Sequence, residues 1–372
     1  MIVVNNTVAA QTDSSVSSDA SPPPKKHGYS TGILLVILGI CIGGCAYWLL
    51  PQFRKTSSSN TVSAQKFCSG VNIVFFPGGT ATDSFASVVY KGAKDAETIL
   101  GPRVQYVWSD WDSNKMVAQF KSAIDTAPDA IAMMGHPGAD ALSPFVDEAE
   151  RKNIIVTMQN VDIPAVREQY ISKGFGYVGQ DLFNSGVLVS SGIIRKYQPK
   201  AGTEAIVFGV DPATDPARYE RTKGAIDGLK SGKLIVHEIT LSTAVQQNAN
   251  SPAAQKMVAD ALSRYPNAKI IIIDHGALTA SVPTILKNLG KKPGEYIIGG
   301  FDLSASTVAG IQSGYIGLVQ DQQPYLQGFL PILQACLTKK YKFAGLTIDT
   351  GVGLIDSSNV DVIASLAKQG IR

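Results

Sequence analysis

Two polar residues stand at the ends of apolar runs where a ligand site would need them. Tyr296-Ile-Ile-Gly-Gly-Phe-Asp302 delivers a carboxylate, and after a helical stretch to Gly314 the run Tyr315-Ile-Gly-Leu-Val-Gln320 delivers an amide. If both runs are parallel strands of one sheet, these groups share the edge at which open α/β proteins bind ligands. No group suited to bond making accompanies them. Pro77-Gly-Gly-Thr80 is a glycine turn, but it lacks the spaced glycines of a dinucleotide loop and the Gly-Lys-Ser/Thr of a phosphate loop. No Gly-x-Ser-x-Gly elbow occurs either. His27, His136, His237 and His275 show no metal-ligand spacing. Asp110-Trp-Asp112-Ser-Asn114 opens like a calcium loop, yet Lys115 holds the turn position that needs Gly, and no Glu closes it. It reads as a strand-to-helix turn with the Ser113/Asn114 region capping the next helix. The expectation is a binding protein, not an enzyme, with no cofactor and no metal.

The elements that must position Asp302 and Gln320 alternate steadily. Strand-like runs fall at Asn72–Phe76, Arg103–Trp108, Ala130–Met134, Ile154–Met158, Glu204–Phe208, Leu234–Thr240, Lys269–Ile273, Glu295–Gly299 and Ile316–Gln320. Amphipathic helical runs lie between them, among them Phe85–Leu100, Ser113–Thr126, Asp140–Lys152, Asp181–Lys196, Arg218–Lys230, Pro252–Tyr265 and Thr279–Leu289. Strict alternation means βαβ units and parallel sheets. About 300 residues and nine or more strands exceed one comfortable sheet, so the fold class is α/β with two doubly wound, Rossmann-like lobes.

The front of the chain is different. Residues 1–31 are rich in Ser, Thr, Ala and Pro and read as a disordered tail. Residues 32–50, Gly32 to Leu50, contain no charge, and nineteen helical residues would span about 28 Å, close to the hydrocarbon thickness of a bilayer. A single N-terminal transmembrane helix, retained as an anchor with Tyr47 and Trp48 at the interface, is the preferred reading. The alternatives are a signal cleaved after Val62-Ser-Ala64 and a lipoprotein signal at Ile42-Gly-Gly-Cys45. Residues 51–69 are the linker, and 70–372 the globular part. Cys41 and Cys45 fall in the apolar run, leaving Cys68 and Cys336; two unpaired thiols are the plainer reading and a bridge the alternative. Leaving out the four Lys/Arg and two Asp/Glu up to Lys55, 29 basic residues face 28 acidic ones. Such balance gives no case for nucleic acid.

Four blocks carry a resemblance. They are Ile73-Val-Phe-Phe-Pro-Gly-Gly79 leading to Tyr90-Lys-Gly-Ala-Lys94; Pro128-Asp-Ala-Ile-Ala-Met-Met134 followed by Ile154-Ile-Val-Thr157; Tyr177-Val-Gly-Gln-Asp181 with Ala217-Arg-Tyr-Glu-Arg-Thr-Lys-Gly224; and Gly300-Phe-Asp302 to Gln320. In this order and spacing the chain from Val71 onward resembles the type I periplasmic binding proteins, the sugar-binding subunits of ABC importers related to the ribose and galactose binding proteins. The resemblance implies two lobes joined by a three-segment hinge, with crossings near Gly174–Gly179, Gly300–Ser304 and Gln320–Pro324. Lobe 1 would take about 70–174 plus 322–350, and lobe 2 about 175–321 plus 351–372. It also implies ligand contacts from Asp83, Phe85, His136, Gln159, Asn160, Arg218, Asp274, Asp302 and Gln320. Polar side chains of these types engage neighbouring sugar hydroxyls in pairs, while aromatic rings cover the C–H faces.

The sequence departs from the ribose pattern at His136, at Gln159-Asn160, and at Ala86, where a second aromatic is expected after Phe85. Plainer roles compete: Asp83 as a helix cap, Phe85 as a core residue, and Arg218 paired with Glu220 or Asp215. Asp274, more than its neighbour His275, is expected to point inward, and Tyr219, Phe183 and Trp108 to pack. The resulting expectation is an extracytoplasmic solute-binding protein, anchored by its N-terminal segment, that captures a small sugar or polyol and delivers it to an ABC permease. A ligand-binding ectodomain of a sensory or chemotaxis receptor is the alternative. A sugar-responsive regulator would instead carry a helix-turn-helix headpiece.

Overall fold

The computed structural model describes residues 65–372. The tail, the apolar run Gly32–Leu50 with Cys41 and Cys45, and the linker up to Ala64 lie outside the described residues. Among the described residues, no helix is long and apolar enough to cross a membrane.

Twelve strands follow in chain order: β1 (Asn72–Gly78), β2 (Arg103–Trp108), β3 (Ala130–Met134), β4 (Ile155–Asn160), β5 (Gly176–Gly179), β6 (Glu204–Gly209), β7 (Ile235–Thr240), β8 (Ile270–Ile273), β9 (Ile297–Phe301), β10 (Leu318–Asp321), β11 (Thr347–Asp349) and β12 (Gly353–Asp356). They form two six-stranded sheets, ordered β11-β5-β4-β3-β1-β2 and β12-β10-β9-β8-β6-β7. Every pairing is parallel except that of β12 with β10. Helices cover both faces, which is why the central strands are continuous apolar runs rather than alternating ones. All four isoleucines of β8 and all five residues of β3 are buried. The edge strands β2 and β7 mix polar and apolar residues and are partly exposed.

The chain passes between lobes at three places. It leaves the first sheet after β5, returns after β10 through Gln322-Gln323 into the helix Pro324–Tyr341, and crosses last between β11 and β12. Two expected crossings therefore need correction. Gly176–Gly179 is itself a strand of the first sheet, paired with Thr157–Asn160. Gly300–Ser304 stays in the second lobe, because β9 and β10 are neighbours in one sheet. The third crossing is Thr350–Val352, where the expected lobe bounds already change from 350 to 351, and it is flanked by strands of only three and four residues.

Cys68 and Cys336 form a disulfide with a Cα–Cα distance of 5.6 Å, 268 residues apart in sequence, which corrects the reading of two free thiols. It ties the segment entering β1 to the helix Pro324–Tyr341 inside the core of the first lobe.

Candidate functional site

Parallel register brings the strand ends of the second lobe level. Ile273 pairs with Gly300 and with Phe208, and Phe301 with Gln320. The residues just beyond, Asp274 and Asp302, thus emerge side by side on the C-terminal edge. Facing them from the first lobe are the turns after β1, β2 and β3, carrying Asp83 and Phe85, Trp111, and His136.

Asp274 is wholly buried. Arg218 donates through Nη1 to both its carboxylate oxygens (2.8 and 2.9 Å) and through Nη2 to its carbonyl (3.0 Å). Arg221 Nε and the Thr222 hydroxyl donate to the same carboxylate. Burial alone would raise this carboxyl; the Arg218 and Arg221 charges and the Thr222 hydrogen bond outweigh it and hold the group below its ordinary range. Every lone-pair direction of Asp274 is engaged by the protein. Asp274 is therefore an internal anchor for two arginines rather than a ligand contact, and Arg218 spends its fork on Asp274, not on Glu220 or Asp215. The Asp215 side chain instead caps the helix Pro216–Ser231 by accepting from Arg218 N at 3.2 Å.

Arg221 was not among the expected site residues. One helical turn beyond Arg218, it is 2% exposed, stacks on the Phe301 ring at 3.9 Å, and has a buried Nη1 with no partner. Burial first, and then the Arg218 charge, pull its pKa down to about 10 against the attraction of Asp274 and Asp302. An unspent donor on a buried cation near Asp302 is an unmet hydrogen-bonding demand in the site. The only sequence signal was its spacing, since positions three apart on a helix share a face.

Asp302 sits in the left-handed region (φ 71°) just past β9. Its carboxylate passes so close over Gly276 that a Cβ there would lie 1.9 Å from Oδ2, so a side chain at position 276 would displace the carboxylate. Burial raises the Asp302 pKa, with Arg221 and the Gln322 hydrogen bond opposing. Gln322 Nε2 donates to Asp302 Oδ1. Gln322 also was not foreseen; Gln320 was, and the structure corrects it. Gln320 is fully buried within the second lobe, where its amide donates to Ser185 Oγ (2.7 Å) and to the Gly351 carbonyl.

Gln159 and Asn160 are likewise engaged internally. Gln159 Nε2 donates to the Phe76 carbonyl at 2.8 Å, closing the strand ends of the first lobe. Asn160 Nδ2 donates to Gln322 Oε1 (3.1 Å) and Gln327 Oε1 (3.2 Å), and Gln180 Nε2 reaches the same Gln322 oxygen at 3.0 Å. The Thr350 hydroxyl donates to the Gln322 carbonyl at 2.7 Å. Side chains from all three crossings thus converge on Gln322, whose amide nitrogen holds Asp302.

The first lobe contributes an aromatic wall. Phe85 and Trp111 have ring centroids 6.0 Å apart, and Trp111 and His136 5.3 Å. Trp111 supplies the second aromatic that the residue after Phe85 does not. The sequence hid it in the segment resembling a calcium loop, where Asp112 itself caps the next helix by accepting from Lys115 N at 2.9 Å. His136 Nδ1 is buried without a partner, and burial, reinforced by the Arg218 and Arg221 charges, depresses its pKa to about 3. The ring is neutral. Asp83 caps the following helix, accepting from Phe85 N (3.0 Å) and Ala86 N (2.7 Å) through Oδ1. Phe85 both packs on the first-lobe core and lines the cleft. The cleft is nearly shut: Ser84 and Phe85 meet Gly276, Asp302 and Ser304 around a void of about 10 Å³, no larger than one water.

Two α/β lobes, three crossings and a polar cleft between facing strand ends define a two-lobe binding protein. The family model for the periplasmic binding protein domain matches residues 73–338, and the chain belongs to that family. It is 29% identical over 306 residues to the xylose/arabinose-binding protein XylF of Sulfolobus acidocaldarius, covering 77% of this chain and 71% of that one. Among solved structures, the fold is similar to a carbohydrate transporter from Acidothermus cellulolyticus in complex with myo-inositol (TM-score 0.67, 23% identity, 81% of this chain and 99% of that one). It is also similar to GanP, a glucose-galactose binding protein from Geobacillus stearothermophilus (TM-score 0.66, 22% identity, 78% and 98%).

Proposed function

We propose that this protein is an extracytoplasmic receptor that encloses a small neutral sugar or polyol between its lobes and passes it unchanged to an ABC import permease. The observation that carries the reading is the polar set around Asp302. A carboxylate, a buried guanidinium with an unspent N–H and the Gln322 amide stand opposite an aromatic wall. Neighbouring hydroxyls pair with the first three, and the C–H face of a sugar ring lies against the wall. Charges in the cleft largely cancel, Arg218 and Arg221 against Asp274 and Asp302, which suits an uncharged ligand. The binding of carbohydrate by the named relatives supports the class, and the uncharged run Gly32–Leu50 supports a membrane tether in front of the domain.

Closure is the working step. Because the lobes meet around Asp302 with a void no larger than one water, a ligand reaches that carboxylate only when they part, and its contacts with both lobes then favour the closed form. The test is a thermal-shift panel of pentoses, hexoses, deoxysugars and polyols on the full chain in detergent, since a ligand that binds only the folded state raises the midpoint. A rise with at least one of them, with the compound recovered unaltered, is expected. No shift at millimolar concentration, or turnover of the compound, would defeat the proposal.

A further inference from the structure

The C-terminal ends of the strands face the cleft, so the starts of β1, β5 and β11 mark the opposite pole of the first lobe. The helix Pro324–Tyr341 runs from the hinge to that pole, about 27 Å for its 18 residues. Four of the nine exposed large apolar side chains in the described residues gather there: Ile99 (61% exposed), Tyr341 (58%), Phe343 (55%) and Leu346 (49%). Tyr341 packs between Phe67 and Phe343 with tilted rings, their centroids 5.9 and 5.7 Å away. Lys339 is paired with Asp129 at 2.6 Å, but Lys66, Lys340 and Lys342 have no carboxylate partner among the described residues, and the Lys340 ammonium lies 4.8 Å over the Phe67 ring. Exposed aromatic rings beside unpaired lysines are the composition of an interfacial membrane contact: rings enter the headgroup region and lysines meet anionic lipid.

What selects the occupant is where the chain enters. Gln65 and Lys66 lead into Phe67 within this patch, and the disulfide of Cys68 with Cys336 fixes that entry against the helix bearing Tyr341. Only fourteen residues separate Gln65 from Leu50, the last residue of the uncharged run, and fully extended they reach at most about 50 Å. We infer that this aromatic pole of the first lobe, centred on Tyr341 and Phe343 with the unpaired Lys66, Lys340 and Lys342, rests on an anionic phospholipid surface and holds the domain against the membrane while it is not docked on the permease. The inference rests on the tether in the proposed function, and it adds a second, non-covalent point of attachment. Two weak contacts on one short linker act together, because the first raises the local concentration of the second.

The test is amide hydrogen exchange by mass spectrometry on the full chain, in phosphatidylcholine vesicles with and without phosphatidylglycerol and in detergent. Peptides covering 65–70 and 339–346 should exchange several-fold more slowly in the anionic vesicles than in detergent, and Tyr341→Ser/Phe343→Ser should abolish the difference. Equal exchange in vesicles and detergent would overturn the inference. So would protection that survives the double substitution, or protection in detergent that grows with protein concentration, which would assign the patch to a second copy. Co-sedimentation of the chain with the vesicles reports the tether separately, so a failed tether and a failed patch give different results.

Discussion

Replacing Asp274 by Asn alters one buried charge and almost no volume, and so asks whether this carboxylate serves the ligand or the fold. Two arginines depend on it. Arg221 is 2% exposed and Arg218 11% by side chain, so neither guanidinium can recover full hydration when its counter-charge is removed. Breaking a buried ion pair by deleting one partner costs about 3–5 kcal/mol, because the survivor is left uncompensated. The remaining Asn oxygen retains one acceptor for the Thr222 hydroxyl or for one N–H, which places Asp274→Asn toward the lower end and Asp274→Ala toward the upper. A midpoint shift of about 2–4 °C per kcal/mol makes the expected loss about 6–20 °C, measured without ligand by circular dichroism during heating. Asp302→Asn is the internal comparison. Burial raises the Asp302 pKa, so its ionised form contributes little stability to the unliganded protein, and its midpoint should move by no more than a few degrees. Sugar affinity, by contrast, should fall by about 2–5 kcal/mol when that charged partner is removed. If Asp274→Asn melts like the native chain and loses only affinity, the anchor role is wrong and Asp274 belongs among the ligand contacts.

The two glutamines divide in the same way. Gln322→Ala should weaken sugar binding, measured by titration calorimetry, by about 1–3 kcal/mol, whereas Gln320→Ala should cost a similar amount of folding stability by stranding the Ser185 hydroxyl and the Gly351 carbonyl; the reverse pattern would restore Gln320 to the cleft. His136 makes stability acid-sensitive. Its folded pKa, about 3, lies below the unfolded value of 6.5, so the unfolded chain binds a proton that the folded one refuses, and stability is lost as pH falls below 6.5. At pH 5 that is one and a half units, or about 2 kcal/mol. Urea titrations at pH 7.5 and 5 should therefore show His136→Asn losing about 2 kcal/mol less than the native chain, and equal losses would mean the imidazole is solvated.

The sheet edge bearing the site was legible because parallel strands with helices on both faces are long apolar runs, and Asp302 ends such a run after Gly-Gly-Phe with nothing ambiguous around it. Gln320 failed for the opposite reason. It opens Gln320-Asp-Gln-Gln323, four consecutive polar residues with no apolar residue among them to fix which one turns into the cleft, and a shift of one position along a strand exchanges its faces. The structure ends β10 at Asp321, sends Gln320 into the lobe and leaves Gln322 to bend toward Asp302. Arg218 and Arg221 were indistinguishable at one helical turn's separation; what separates them is that Arg218 consumes its donors on Asp274 while Arg221 retains one. Strands β5, β11 and β12, of four, three and four residues, are too short and too poor in apolar residues to stand out as runs, and they help to decide where the hinge lies. Their position matters mechanically. With β5, β10 and β11 ending at the three crossings, Asn160, Gln180, Gln327 and Thr350 all close on Gln322, so any rotation of one lobe against the other strains hydrogen bonds to the residue that also holds Asp302. A ligand that takes over the Asp302 carboxylate competes for the Gln322 amide. Occupancy of the cleft and the state of the hinge are therefore coupled through one side chain, which is the arrangement a receptor needs if its closed form is to report that it is loaded.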